Sequence, residues 1–364
     1  MRRITVKAMW MRKTAWTACT AAAVALCVWC VLDNLLPVFR ENGGAWALRA
    51  AGLTVSASSE PESRADHIAQ IPQDTPATEE DGILSPWAEP EPVVEPTPDP
   101  NRETAPVVAT WMGGGETVDG FSVKDTSESG ADLSEELQID PDVHVRRDGS
   151  PVVLFYSTHS CESFILDDVD WYYTDDDFRS TNPEESVLSV AAEAAAVIEA
   201  GGFGVIHDTT LHDDPAYSGS YQRSMETIQK NLAEYPTLQI TVDVHRDAFG
   251  EEADGTRYKP VAEVNGQDAA QIMILTGCDL SEDPLFPDWR ENLRLALRLQ
   301  QKGEALFPGL FRPLYFSQRN FNMHASHGSI LVEVGTEVNT LREAQYAGRL
   351  LGETILAVLN DLAE

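Results

Sequence analysis

The feature that most constrains the fold is a regular alternation of short apolar runs with amphipathic segments after about residue 143. Apolar runs of strand length occur at residues 151–156, 203–207, 238–244, 271–275 and 329–334. Apolar residues follow helical spacing at residues 184–200, 217–234, 289–304 and 340–362. Several of the short runs are apolar enough to be buried on both faces, as parallel strands are. The pattern predicts an α/β domain over residues 143–364, with a mainly parallel twisted sheet flanked by helices.

The N-terminus combines basic residues with a long apolar run. The first thirteen residues contain five basic side chains and no acidic one, and residues 15–36 are mainly apolar. This pattern is typical of a signal peptide or a signal anchor, and the run is long enough to cross a hydrocarbon core, which takes about 20 helical residues. We predict an uncleaved transmembrane anchor over residues 1–40, with its basic flank in the cytoplasm and the rest of the chain outside. Cleavage after a small residue near 43–51, which would release a secreted protein, is the alternative.

The next segment is rich in proline and acidic residues. Residues 56–140 contain 20 acidic and 3 basic side chains, which gives −17 of the formal net charge of −33. Such a composition buries too little apolar surface to offset the entropy lost on ordering. We therefore predict a disordered linker over residues 41–142, with docking of a partner as the alternative. The acidic balance also argues against nucleic acid, because binding to phosphates depends on basic side chains.

Polar clusters coincide with three of the predicted strands. His159 and Glu162 follow the first strand, His245 and Arg246 follow a central one, and Glu333 lies within the last. Functional groups collect at the carboxyl ends of strands in sheets of this kind. Two histidines and a carboxylate from separate strand ends are typical of a catalytic zinc site. We predict His159, Glu162 and His245 as zinc ligands and Glu333 as the general base.

Some of these roles have alternatives. Glu184 or Glu193 could supply the third ligand in place of Glu162. A carboxylate in an apolar strand needs a cation or metal nearby, so Glu333 could instead form a structural salt bridge with Arg246. In the catalytic interpretation, Arg246 stabilises the oxyanion that develops during the reaction.

A polar loop at residues 207–215 leads into the second predicted helix. A loop so rich in donors and acceptors suits a polar substrate such as a sugar-peptide. We predict six substrate-binding residues in this loop and helix: His207, Asp208, His212, Asp213, Tyr221 and Arg223. A plain surface loop is one alternative, and competition of His207 or His212 for the metal is another.

A nucleophilic hydrolase is a further alternative. Cys161, or the neighbouring Ser160 or Ser163, could act with His159 or His245 as base. A reactive thiol is hazardous outside the cell, and no G-x-S-x-G motif is present. We therefore favour the zinc hydrolase. Only Cys161 and Cys278 lie outside the apolar N-terminal run, so a cysteine-rich zinc site or a disulfide scaffold is not expected.

Five motifs in collinear order resemble the stage II sporulation protein P family. They are YSTHSCESF at 156–164, GVIHDTTLHD at 204–213, SYQRS at 220–224, DVHRD at 243–247, and LVEVG at 331–335 followed by Asn339 and Thr340. The resemblance implies a fold similar to that of zinc N-acetylmuramoyl-L-alanine amidases. It assigns His159 and His245 as metal ligands and Glu333 as the catalytic glutamate, and it leaves the third ligand open among Glu162, Glu184 and Glu185.

The resemblance also implies a function. The family is associated with peptidoglycan hydrolysis during engulfment in endospore formation, at the amide between the muramic lactyl group and L-alanine and also at stem-peptide crosslinks. It implies a single-pass protein of the mother-cell membrane whose catalytic domain faces the intermembrane space, and partners in stage II sporulation proteins D and M. A wall-binding scaffold that recruits or activates another hydrolase is the alternative, although both histidines and both glutamates are retained.

Overall fold

The computed structural model describes residues 53–56 and 96–363. The predicted anchor at residues 1–40 and half of the predicted linker lie outside this part of the chain. No helix in the described residues is both long and apolar enough to cross a membrane. In chain order, the strands and helices are β1 (Leu53–Ser56), β2 (Thr104–Gly114), β3 (Glu116–Val118), β4 (Phe121–Thr126), α1 (Leu133–Leu137), β5 (Pro151–Tyr156), β6 (Trp171–Tyr173), α2 (Val187–Ala200), β7 (Gly204–His207), α3 (Ser220–Glu234), β8 (Ile240–Asp247), β9 (Arg257–Val264), β10 (Gln267–Ala270), β11 (Ile272–Gly277), α4 (Trp289–Leu306), β12 (Leu314–Ser317), β13 (Gly328–Thr336) and α5 (Leu341–Leu362).

The main sheet has eight strands in the order β3-β4-β12-β11-β13-β8-β5-β7. The strands β13, β8, β5 and β7 run parallel to one another. The direction reverses between β13 and β11, and β12 and β4 then run parallel to β11. The prediction of a mainly parallel sheet is confirmed for the half that holds β5, β8 and β13, while the whole sheet is mixed. The carboxyl ends of these three strands therefore meet at one edge.

A second sheet, which the sequence patterns did not predict, has the order β1-β2-β9-β10, with β6 also paired to β2. Together with β3, β4 and α1, it shows that the predicted disordered linker over residues 41–142 is wrong for its last part. Phe121 and Val123 of β4 are buried in the main core. Glu136 of α1 accepts hydrogen bonds from Arg290 and Arg294 on α4, at 2.8 Å each. The acidic composition of this segment led to the prediction of disorder, although its few apolar residues lie where they can be buried.

Helices cover both faces of the parallel half of the main sheet. On β5, Val153 and Phe155 join the large core that includes α2 and α5, whereas Leu154 and Tyr156 pack with Ile228 of α3. Alternate residues of a strand point to opposite faces, so this division places α3 opposite α2 and α5. The sheet edge that carries the polar clusters is therefore held between two helical layers.

The helix starts follow local chemistry. Thr340 caps α5 through a reciprocal pair of hydrogen bonds with Glu343, and Ser186 caps α2. Both devices satisfy amide groups that have no partner inside the helix. The four helices predicted from spacing are confirmed, with ends that differ by up to three residues from those predicted.

Candidate functional site

Three neighbouring parallel strands bring the predicted site residues together. Tyr156 of β5 lies opposite Asp243 of β8, and His245 of β8 lies opposite Glu333 of β13. The chain leaving β5 carries His159 and Glu162 across the same edge. In this register the separate motifs lie at one edge of the sheet.

His159, Glu162 and His245 form a compact group. The two histidine rings are 5.2 Å apart between centroids and nearly perpendicular, at 86°. Nδ1 of His245 lies 3.5 Å from Oε2 of Glu162. Both histidines are buried, with exposed fractions of 7% for His159 and 3% for His245. The group is therefore shielded from bulk water on most sides.

Asp243 contacts His245, and the sequence patterns did not identify it as a site residue. Its Oδ1 lies 2.9 Å from Nε2 of His245, but the angle is not that of a hydrogen bond. The same oxygen accepts a hydrogen bond from the Thr158 amide. Its Oδ2 accepts a hydrogen bond from the Thr158 hydroxyl at 2.7 Å. A carboxylate behind a histidine fixes the ring and leaves the other nitrogen free to bind. The DVH spacing, which puts both residues on one face of a strand, could have revealed it.

Asp213 and Ser220 orient His159 in a similar way. Nδ1 of His159 lies 3.3 Å from the Ser220 hydroxyl and 4.0 Å from Oδ2 of Asp213. Asp213 also accepts hydrogen bonds from Ser160 and from the Cys161 amide, at 3.0 Å each. The structure thus places Asp213, a predicted substrate-binding residue, behind His159 and almost fully buried.

The electrostatics of the two histidines differ. Burial opposes the charged form of His245, but the Asp243 and Glu162 carboxylates beside it hold its pKa well above the ordinary value. Burial lowers the pKa of His159, and the neighbouring His245 lowers it further. His245 therefore holds a proton more strongly than His159 does.

Glu333 is half-buried, and the Oε2 atom of its carboxyl group is buried without a partner in the described residues. Burial raises the pKa of Glu333 to about 8, with Asp247 and Glu162 adding to the rise and His245 and Arg312 opposing it. A carboxyl group that titrates near neutral pH and lies beside a polar cluster is suited to proton transfer.

A local irregularity in β13 accompanies Glu333. The pairing with β8 shifts register between Glu333 and Thr336, and Gly335 has a left-handed φ of 63°. A Cβ at Gly335 would lie 2.5 Å from Oδ1 of Asn339. Glycine at this position therefore permits the bulge that shifts the pairing with β8 just beyond Glu333.

Arg246 lies on the other side of β8. Its Nη2 donates to the Phe178 carbonyl at 2.8 Å, and its Nη1 lies 3.6 Å from Glu337. No ion pair between Arg246 and Glu333 occurs in the described residues, so the alternative of a structural salt bridge is not supported. The Arg246 amide donates to Oε2 of Glu162 at 3.2 Å. Its catalytic role through the guanidinium stays a prediction.

The candidates for the third ligand occupy different places. Glu162 contacts His245, as described above. Glu185 accepts hydrogen bonds from Ser180 and Asn182, and Glu193 pairs with Arg349 at 2.7 Å. Glu184 lines a separate cavity with His207. Of these carboxylates, Glu162 is the one positioned to join His245.

The donor set fits zinc in chemistry and in part in spacing. Two donor atoms on a tetrahedral zinc at about 2.0–2.1 Å lie roughly 3.3–3.4 Å apart, which is close to the 3.5 Å between Glu162 and His245. In the part of the chain that the structure describes, no three or more His, Cys, Asp or Glu side chains are already arranged to hold a metal ion. His159 would supply the third donor.

The predicted substrate loop is largely held by the protein itself. Both nitrogens of His212 are engaged, with the Ser157 carbonyl and the Thr227 hydroxyl at 2.8 Å each. Arg223 donates to the backbone carbonyls of His212, Ala216 and Ser218. The prediction that His212 and Arg223 contact substrate is therefore not supported by the structure, because their polar groups stabilise the loop.

Asp208 and His207 lie away from the His159 group. Asp208 accepts hydrogen bonds from the Thr210 amide and the Asn231 side chain. His207 lines a cavity of about 420 Å³ against α2, and its Nε2 is buried without a partner in the described residues. Neither residue joins the predicted zinc ligands.

Two tyrosines flank His159. Tyr217 stacks on its ring, with centroids 4.2 Å apart and an angle of 8°, although 59% of Tyr217 is exposed. Tyr221 meets the same ring edge-on at 5.6 Å. The placement of Tyr221 agrees with a site role, and Tyr217 is a site residue that the sequence analysis did not assign. Its position three residues before Ser220, at the start of a helix facing the site, was the available signal.

The geometry does not support a hydrolase with a cysteine or serine nucleophile. Cys161 is buried, and burial together with Asp213 raises the pKa of its thiol to about 12. Ser160 is fully buried and donates its hydroxyl proton to Asp213. A nucleophile needs activation and access, and neither side chain has both.

Known proteins share parts of this sequence. The family model described as Stage II sporulation protein P (SpoIIP) matches residues 113–356. Stage II sporulation protein P of Bacillus subtilis (strain 168) is 26% identical over 226 residues, which cover 59% of this chain and 52% of that protein. The chain thus spans about half the length of the curated relative it matches.

Solved structures of amidases match part of this chain with low sequence identity and low TM-scores. The CwlD amidase from Clostridioides difficile, in complex with the GerS lipoprotein, is 10% identical with a TM-score of 0.37 and covers 58% of this chain and 98% of its own. An N-acetylmuramoyl-L-alanine amidase from Clostridium difficile 630 is 17% identical with a TM-score of 0.32, over 59% and 97%. The apo amidase Ami1 from Mycobacterium abscessus is 13% identical with a TM-score of 0.33, over 59% and 98%.

Proposed function

The chain belongs to the stage II sporulation protein P family, and we propose that it is a peptidoglycan hydrolase of endospore formation. The bond we assign is the amide between the muramic lactyl group and L-alanine, with stem-peptide crosslinks as a second target. The observation that carries this proposal is the meeting of His159, Glu162, His245 and Glu333 at one edge of the sheet. Amide hydrolysis needs an electrophilic centre and a proton carrier, and this cluster has residues suited to both.

We propose zinc as the cofactor, held by His159, Glu162 and His245. Such an ion would acidify water and polarise the amide carbonyl. Asp243 holds the ring of His245, and Asp213 with Ser220 holds that of His159. These contacts leave one ring nitrogen of each histidine for a ligand.

Glu333 is the proton carrier in this proposal. Its carboxylate takes a proton from water as the water oxygen bonds to the amide carbon, and it passes that proton to the leaving nitrogen as the carbon–nitrogen bond breaks. A pKa of about 8 lets the same group accept and release a proton near neutral pH. The products are a lactyl carboxylate and a free peptide amine.

Attachment and partners are parts of the same proposal. The basic, apolar N-terminus is consistent with a single-pass anchor that leaves the catalytic domain outside the mother-cell membrane, facing the intermembrane space. Stage II sporulation proteins D and M are the partners we propose, because membership of the family implies them.

Digestion of purified sacculi by the full-length chain tests this proposal. With zinc present, we expect free stem peptides or split crosslinks among the products. The Glu333→Gln variant should lose about 100-fold or more in rate, because it cannot carry the proton. Glu263→Gln, which changes an exposed carboxylate on β9, should leave the rate unchanged. Full activity of Glu333→Gln contradicts the mechanism. If the chain binds sacculi but neither cuts them nor holds zinc, its function is that of a wall-binding scaffold.

A further inference from the structure

The segment that joins β12 to β13, residues 318–327, is held to α4. Nδ2 of Asn292, a fully buried residue of α4, lies 3.1 Å from the Met323 carbonyl oxygen and 2.9 Å from that of Ser326. The side chain of Met323 is itself buried in the main core. The later part of this segment is therefore fixed to the body of the domain.

The middle of the segment has an unusual backbone. Phe321 and Asn322 are consecutive residues with left-handed φ angles of 44° and 61°. Asparagine tolerates this conformation, but a bulky residue such as phenylalanine rarely adopts it. Such residues persist where neighbouring contacts compensate for the strain, and they are frequent at functional sites. The contacts of these two residues therefore indicate what the conformation serves.

Both residues contact the first turns of α3. Nδ2 of Asn322 donates to the Tyr221 carbonyl at 2.7 Å and to the Ser224 hydroxyl at 3.1 Å. The Phe321 ring lies 5.9 Å from the ring of Tyr221, between centroids. One amide side chain and one aromatic ring thus join the segment to the start of α3.

A chain of hydrogen bonds continues from Ser224 to Asp243. The Ser224 and Thr158 hydroxyls are 2.8 Å apart, and the Thr158 hydroxyl donates to Oδ2 of Asp243 at 2.7 Å. Because Thr158 gives its single hydroxyl proton to Asp243, Ser224 donates to Thr158 and accepts from Asn322. Ser224, Thr158 and Asp243 are fully buried. The chain ends beside His245, whose Nε2 lies 2.9 Å from Asp243.

The same turn of α3 reaches His159. The Ser220 hydroxyl lies 3.3 Å from Nδ1 of His159. Tyr221, whose carbonyl accepts from Asn322, meets the His159 ring edge-on. Two routes of direct contact therefore lead from Asn322, one to His159 and the other to His245.

We propose that Asn322 is a positioning residue, which orients His159 and His245 by holding the first turns of α3 and, through them, the Asp243 carboxylate. This inference rests on the proposed function, because these are the two histidines that the proposed zinc ion binds. Without the Asn322 side chain, the Ser224 hydroxyl can turn to the Tyr221 carbonyl, 3.2 Å away, instead of Thr158. The support of Asp243 then weakens.

Hydrogen–deuterium exchange in the metal-free full-length chain tests this coupling without zinc or substrate. Asn322→Gly removes the side chain and keeps a residue that accepts the left-handed backbone. The Thr158 amide donates to Oδ1 of Asp243 at 2.7 Å, and we expect it to exchange about fivefold faster in this variant. Asn265→Gly makes the same change at a left-handed asparagine in the exposed β9–β10 hairpin, and it should leave this exchange unchanged. Unchanged exchange of Thr158 in Asn322→Gly overturns the proposal.

A second variant interrupts the chain of hydrogen bonds without altering the segment. Ser224→Ala removes the link between Asn322 and Thr158, so it should speed Thr158 exchange to a similar extent. This test stands even if Asn322→Gly does not fold. The double variant should exchange no faster than either single variant, because both changes interrupt one chain. Additive effects would show that Asn322 acts by another route and would overturn the proposal.

Zinc affinity relates the coupling to the site. Competition with a chelator should show about fivefold weaker zinc binding by Asn322→Gly and unchanged binding by Asn265→Gly. Wild-type affinity in Asn322→Gly contradicts the positioning role. A wild-type chain that cleaves no sacculi or binds no zinc contradicts the proposed function, and the exchange of Thr158 still decides the role of Asn322.

Discussion

At the scale of single residues, the site depends on carboxylates that stand behind the histidines. We predict that Asp243→Asn lowers zinc affinity by about 10–100-fold, because the ring of His245 loses the charged partner that orients it. Competition with a chelator of known affinity, at fixed pH, measures this change. Asp168→Asn breaks an exposed ion pair with Arg342 and should leave zinc affinity unchanged. Wild-type affinity in Asp243→Asn would show that His245 is held without Asp243.

Single residues also show where the sequence is informative. His159, His245 and Glu333 could be predicted because each stands at the end of, or within, an apolar strand, where a polar group is unexpected. His212 and Arg223 lie in a polar loop, and a polar loop looks the same in sequence whether its side chains face a ligand or its own backbone. Their hydrogen bonds to loop carbonyls depend on the path of the chain, which spacing does not reveal.

At the scale of elements, α2 and α5 approach closely because α5 has glycine where they cross. A Cβ at Gly348 would lie 2.5 Å from the Val190 carbonyl oxygen and 3.1 Å from its side chain. We predict that Gly348→Ala destabilises the fold by about 1–2 kcal/mol, because overpacking exceeds the gain in helix propensity. Urea unfolding followed by circular dichroism gives the difference. Glu353→Ala, exposed on the same helix, should change stability by less than about 0.5 kcal/mol, and a stable Gly348→Ala would mean that the helices can separate without loss.

The elements that were predicted share strong periodicity, and those that were missed do not. The strands β5, β8 and β13 are long and apolar, and the helices α2 to α5 have clear apolar faces. The strands β9 and β10, which were not predicted, are joined by Asn265-Gly266, both with positive φ. This dipeptide is typical of a hairpin turn, but the strands on either side of it are too polar to be recognised from the sequence. The second sheet contains many half-exposed residues, so its apolar pattern is weak.

At the scale of the whole molecule, the described fold extends further toward the N-terminus than composition predicts. The strand β4 completes the far side of the main sheet by pairing in parallel with β12, although these two strands are separated by almost the whole domain in sequence. Long-range pairing of this kind leaves no local signature, because each strand alone is short and partly polar. The overall acidity of the segment reflects its exposed face and says little about the residues that it buries.

This extension predicts that a chain starting at residue 143 is unstable. Such a chain lacks Phe121 and Val123, which are 2% and 1% exposed, and burial of each contributes about 1.5–3 kcal/mol. It also leaves the edge of β12 unpaired, which promotes association between chains. We expect residues 96–364 to unfold cooperatively and elute as a discrete species, and residues 143–364 to melt at a lower temperature or to aggregate. Thermal unfolding by circular dichroism and size-exclusion chromatography compare the two. Equal melting temperatures would mean that β2, β3 and β4 contribute little to the stability of the site.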